Sequence, residues 1–196
     1  MLNPGQFAGQ RGMTLIELII GLALAAILLG LVTPASQAWI QNTQIRTAAE
    51  SVLNGLQLAR AETLQRNRNM RFQLVTNLTN TCALSNTGTN WVISQNDPTE
   101  KCATAASDTV APFIVQKRAG TEGSANATVS ATRGGAAANT VTFDTLGRVV
   151  NATDIGQVDV TAARGDRPLR VVITPGGQIR MCDPEPTLAA SNPQRC

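Results

Sequence analysis

Apolar and polar positions divide the chain into four stretches. Residues 1–12 are polar and glycine-rich, with Arg11 as their one charged side chain. Residues 13–32 run apolar, interrupted by Thr14 and Glu17. As a helix these 20 residues measure about 30 Å, the thickness of a bilayer core. Beyond Pro34, the residues Ile45, Ala49, Val52, Leu56 and Ala59 recur at spacings of four and three, the stripe of an amphipathic helix. Arg46 with Glu50 and Glu62 with Arg66 stand at i, i+4 on its exposed side, each pair worth about 0.2–0.5 kcal/mol. Gly55 weakens this helix slightly and permits close packing. Polar residues at 67–69 are expected to end it.

From Met70 the period shifts towards two. Strands are predicted at 70–76, 91–94, 113–116, 128–131, 140–144, 157–161, 169–174 and 178–181. Gly147, Gly156 and Pro175-Gly176-Gly177 punctuate them, the last as a tight hairpin. Residues 118–139 are small and polar, with Val129 alone strongly apolar, and are read largely as an exposed loop. No internal repeat occurs. An amphipathic helix cannot cover its stripe alone, so it is expected to lie across one face of an antiparallel sheet. The organisation predicted is a span at 13–33, an amphipathic helix at 34–69 and a β-rich domain at 70–196.

Composition removes much chemistry. The 196 residues include no His and no Tyr, so neither a Ser-His-Asp relay nor a His-containing zinc site can form. The four cysteines, Cys82, Cys102, Cys182 and Cys196, lack the paired short spacings of an all-cysteine zinc site. Gly134-Gly135 and Gly176-Gly177 lack the context of a phosphate-binding loop. No catalytic residue, cofactor or metal is expected, and the chain is read as no enzyme. The net charge of +3 does not imply a nucleic-acid partner. Between Arg164 and Arg195 five arginines face three acids, a weak basic bias of the kind a solvated face carries.

Three readings compete for the amino terminus. A secretory signal has a shorter apolar core of about 7–15 residues and a small-residue cleavage site. A plain anchor explains the length but not Glu17, since a carboxylate at the centre of a bilayer costs about 2.5–3.5 kcal/mol. The third explains both: Gly12-Met13-Thr14-Leu15-Ile16-Glu17 followed by the apolar run closely resembles the processing motif of type IV prepilins and type II secretion pseudopilins. The resemblance implies a leader at 1–12, cleavage by a prepilin peptidase between Gly12 and Met13, and N-methylation of Met13. Glu17 then becomes the assembly carboxylate, paired in the filament with the amine of a neighbouring Met13. Arg11 before the span and no Lys or Arg until Arg46 predict a cytoplasmic amino terminus. The domain then lies in the periplasm, anchored to the inner membrane by a single pass before joining a filament.

Beyond the leader the chain resembles the GspH/FimT branch of pseudopilins and minor pilins. Leu56-Gln57-Leu58-Ala59-Arg60-Ala61-Glu62 with Arg66-Asn67 resembles its helix signature. Trp91-Val92-Ile93-Ser94-Gln95-Asn96-Asp97 resembles its Trp strand, and Thr142-Phe143-Asp144-Thr145-Leu146-Gly147-Arg148 its turn. Leu169-Arg170-Val171-Val172-Ile173 through Cys182 resembles its closing hairpin. The resemblance implies an α+β, type IV pilin-like fold: a long helix, half transmembrane and half amphipathic, packed on an antiparallel sheet. Trp91 and Phe143 are read as core aromatics, Gly147 and Gly177 as turn residues, and Asp97 as a cap, a turn residue or a partner contact.

An exported domain with four cysteines admits two disulfides in three pairings. Cys82 with Cys102 and Cys182 with Cys196 is favoured because both close short loops. The function expected is that of a minor pilin or pseudopilin acting in filament assembly or at the tip, with major and minor pilins or pseudopilins as partners. The alternative is DNA capture for transformation, which FimT-type members are thought to perform with a Gly-Arg-x-Arg motif. Here that stretch reads Gly177-Gln178-Ile179-Arg180, with Gln where the first Arg should stand and with Arg164, Arg167, Arg170 and Arg195 as further phosphate contacts, sensitive to salt.

Overall fold

The computed structural model describes residues 13–189 and 191–196, leaving the side chains of 29–35 outside the description. The leader 1–12, Gly12 included, lies outside the described residues. The chain divides into two units, Met1–Gln37 and Ala38–Cys196. The helix α1 (Leu15–Arg66) contributes to both. Nine strands follow among the described residues: β1 (Met70–Val75), β2 (Asn90–Ser94), β3 (Ile114–Arg118), β4 (Ala127–Arg133), β5 (Ala136–Ala137), β6 (Thr140–Phe143), β7 (Gln157–Ala162), β8 (Leu169–Ile173) and β9 (Ile179–Cys182). Asn67 adopts a left-handed backbone (φ 51°) directly after Arg66, a conformation Asn tolerates and one that ends helices. Arg66 is reached by Glu62 and by Asp108, which ties the helix end to the loop before β3. The hydrogen bond to Glu62, then that to Asp108, raises the Arg66 pKa above its ordinary value.

The strands form two antiparallel sheets rather than the single sheet expected. Their orders are β3-β2-β1-β6 and β5-β4-β7-β8-β9. A bulge at Ile93/Ser94 interrupts the β2–β3 register. The stretch 118–139, expected to be largely exposed loop around a strand at 128–131, holds all of β4, which is longer than that strand, and all of β5, and buries Val129, Ala131 and Ala138. Small residues conceal alternation: Val129 and Ala131 face the core, while Thr128 before them is exposed and Ser130 between them is half-buried. β4 is paired with β7 from Ala127↔Ala162 to Thr132↔Gln157.

The stripe Ile45, Ala49, Val52, Leu56 and Ala59 is buried to 1% exposure or less. It shares one core with Met70, Phe72 and Leu74 of β1, Trp91 and Ile93 of β2, and the inward residues of β4, β6, β7 and β8. Gly55 sets the approach of helix to sheet, since a Cβ there would lie 2.8 Å from the Phe72 ring. The Trp91 indole N–H donates to Ser51 Oγ at 2.9 Å, so its one polar atom is satisfied inside the core. Phe72 and Trp91 pack with ring centroids 5.6 Å apart.

A smaller apolar cluster of Val75, Cys82, Val92, Cys102 and Ile114 packs separately, with Leu78 and Leu84 against it. The Cys82–Cys102 disulfide lies in it. Nearby, Lys117 Nζ donates to the carbonyls of Cys102, Ala103 and Thr104 at 2.8–3.1 Å. Asp97 is a turn residue, its Oδ1 accepting the Thr99 N–H and hydroxyl. A second disulfide joins Cys182 to Cys196. It holds the carboxy-terminal segment beside the end of β9, where Asp183 bridges Arg195 in parallel.

Two turns meet under the helix. Arg60 Nε donates to Gly147 O at 3.0 Å, and Val149 N–H donates to Pro175 O at 3.0 Å. Gly177 has φ +78°, and a Cβ on it would fall 1.8 Å from Gly147 O. In the first turn Asp144 accepts the N–H groups of Arg148 and Leu146 and pairs with the Arg148 guanidinium. The Arg148 backbone N–H above all holds the Asp144 carboxyl below the usual carboxylate range.

Gly177→Ala is expected to lower stability by at least about 2 kcal/mol in urea denaturation, through backbone strain and the clash together. Gly176→Ala, without positive φ and with a Cβ that would meet Thr174 Oγ1 only at 3.9 Å, should stay within about 0.5 kcal/mol. Because folding depresses the Asp144 pKa, its contribution is present above the unfolded carboxylate pKa, about 3.9. It is lost as pH falls through the lower folded value. Asp144→Asn should therefore be less stable than wild type at neutral pH, with the gap closing in strong acid.

Candidate assembly surface

Thr14 caps α1. Its Oγ1 accepts the Glu17 N–H at 3.3 Å, and its carbonyl accepts the Leu18 N–H at 3.2 Å. Thr14-x-x-Glu17 has capping-box spacing, so Glu17 occupies the third helical position, where the helix dipole favours a carboxylate. The Thr-x-x-Glu spacing signals this local role of Thr14, which is separate from any contact Glu17 makes in a filament. Every residue from 13 to 28 is exposed, among them Met13 at 80% and Leu15 at 79%. Glu17 is exposed within that apolar surface. A helix apolar on all sides is stable only under a cover of lipid or protein. Among the described residues no helix is long and apolar enough to cross a membrane. The side chains at 29–33, part of the expected span, lie outside them.

The arginines singled out for phosphate contacts are not equivalent. Arg164 and Arg167 are exposed in the β7–β8 connection. Arg170, half-buried on β8, pairs with Asp159 of β7 at 2.5 Å. Arg180 is exposed on β9, opposite Val172. Gly177, the first residue of the Gly-x-x-Arg stretch, is buried in the turn against Gly147. Phe143, expected to be a core aromatic, has no exposed surface on which a base could stack. No group of carboxylates or cysteines able to hold a metal occurs among the described residues.

The profile of the GspH family, type II transport protein GspH, matches residues 48–177. The chain belongs to the GspH family. A second profile, the prokaryotic N-terminal methylation motif, matches residues 8–33. This GspH-family chain is a minor pilin or pseudopilin of a type IV pilus or a type II secretion pseudopilus. It is a membrane-anchored subunit destined for a filament, with other pilins or pseudopilins as partners and a prepilin processing motif at its amino terminus. The family match ends at Gly177, so Arg180 and the Cys182–Cys196 loop lie beyond it.

Two crystal structures of the type IV minor pilin FimU from Pseudomonas aeruginosa are similar. One, at 21% identity, covers 70% of this chain and 87% of that one with a TM-score of 0.50. The other, at 20% identity, covers 69% and 90% with a TM-score of 0.48. The first likeness shows a shared pilin fold, with a helix packed on antiparallel sheets. No curated protein matches the chain significantly.

Proposed function

We propose that the chain is cut between Gly12 and Met13, N-methylated on Met13, and held in the inner membrane by a single pass at 13–33 until it enters a filament. Residues 34–196 then stand in the periplasm, where two disulfides suit an oxidising compartment. The carrying observation is the exposed start of α1, apolar but for one carboxylate, Glu17, in its first turn. In a filament core that carboxylate needs a cation, because an unpaired buried charge is destabilising by about 3–5 kcal/mol. The amine of Met13 on a neighbouring subunit supplies it, and the pairing fixes the axial register. The role is structural rather than catalytic. No observation favours DNA as a partner.

Intact mass and amino-terminal sequencing of protein from native membranes should give N-methyl-Met13, four hydrogens lighter than the reduced chain from the two disulfides. A terminus at Met1 would reduce the protein to a plain anchor. Glu17→Ala should insert into membranes as wild type does, yet be absent from sheared filaments. Normal incorporation of that variant would defeat the proposed pairing.

A further inference from the structure

The β7–β8 connection does not hang free: side-chain amides of α1 clamp it. Gln41 Oε1 accepts the Arg164 N–H at 2.6 Å. Asn42 Oδ1 accepts the N–H groups of Asp166 and Arg167 at 3.0 and 3.3 Å. Asn42 Nδ2 donates to Asp166 Oδ1 at 2.7 Å. The clamp uses backbone N–H groups of both arginines, so their guanidinium groups are left to the solvent. Arg164 and Arg167 are exposed and make no ion pair among the described residues. Asp166 between them is the one acid of the connection. Trp39 stands one turn before Asn42 at i, i+3, on the same side of the helix, and is 71% exposed with Ile40 beside it at 47%.

Within the unit Ala38–Cys196, an indole and an isoleucine on α1 thus flank the two amides that clamp a connection bearing two arginines. We propose that Trp39, Ile40, Arg164 and Arg167 form a collar that seats the domain on the anionic phospholipid headgroup layer before assembly. The inference rests on the span at 13–33 proposed above, which Trp39 follows by six residues. Indole rings favour the headgroup level, and a basic side chain near an anionic leaflet is attracted to its phosphates. Nucleic acid would use the same guanidinium groups, but it gives the exposed Ile40 nothing to cover it.

The test reconstitutes the full chain into vesicles of neutral lipid with or without phosphatidylglycerol. It reads Trp emission with lipids brominated near the headgroup as quenchers, and carbonate extraction reports insertion. Emission from the exposed Trp39 should be quenched, and Trp39→Phe should remove the quenched component while leaving the unquenched emission of the buried Trp91. Arg164→Gln with Arg167→Gln keeps the backbone clamp. It should lower the preference for anionic over neutral vesicles roughly tenfold without changing carbonate resistance. A carbonate-resistant chain whose Trp39 is not quenched, or whose preference survives the double substitution, overturns the collar alone. A chain stripped by carbonate overturns the span and the collar with it. Loss of duplex-DNA binding in the double variant, with unchanged lipid quenching, would reassign the arginines to nucleic acid and overturn the proposal.

Discussion

The stripe Ile45, Ala49, Val52, Leu56 and Ala59 leaves water only because strands from both sheets close over it. Each large side chain among them contributes about 1.5–3 kcal/mol on burial. No single sheet supplies the whole cover: β1 and β2 bring Phe72, Leu74, Trp91 and Ile93, while β4, β7 and β8 bring Val129, Val158, Val160, Val171 and Ile173. The helix is therefore the shared wall of both sheets. The absence of a side chain at Gly55 sets how near Phe72 and Trp91 come to it.

That arrangement needs the connections as well as the strands. Arg60 leaves the helix to hold the carbonyl of Gly147, whose turn is pressed by Gly177 of the β8–β9 hairpin. One guanidinium so links the helix to a turn of the first sheet, and backbone contact passes the link to the hairpin of the second. Arg60 and Gly147 sit in two of the segments whose sequence resembles the GspH branch. The structure gives a physical reason for both: a long cationic donor on the helix, and backbones that approach too closely for a Cβ.

Much of this was legible in the sequence, because burial writes a local period. The stripe was read from its four-three spacing. Eight of the strands were read from alternation, to within one or two residues at most ends. The two-residue β5 was missed because Ala136 and Ala137 carry no apolar contrast and lie in a run of small residues. The partition into two sheets was missed for a different reason. β6 follows β5 in the chain but pairs with β1 across roughly seventy residues, and period-two alternation says nothing about which strand a strand will choose. The grip of Gln41 and Asn42 on residues 164–167 spans more than 120 positions and left no mark on either local pattern. The amino-terminal motif, by contrast, is short and contiguous, so its residues could be named at once.

Glu17 is where local and assembled physics diverge. As the third residue after the Thr14 cap it gains about 0.3–1 kcal/mol from the helix dipole, and at the end of the proposed span it would lie near the headgroup layer rather than at the costly centre. Neither effect requires a free amine next to it. A dry bundle of helices does, and on the proposed pairing only the cut chain has one, since before cleavage the Met13 nitrogen is an uncharged amide. Arg11 on the uncut chain would be no substitute: it stands among the polar residues 1–12, the proposed leader, which a close-packed bundle would have to desolvate. The proposed methylation would leave the amine protonated and so preserve the pair. Cleavage on this argument does more than remove an obstruction, because it creates the cation without which the assembled Glu17 is an uncompensated charge.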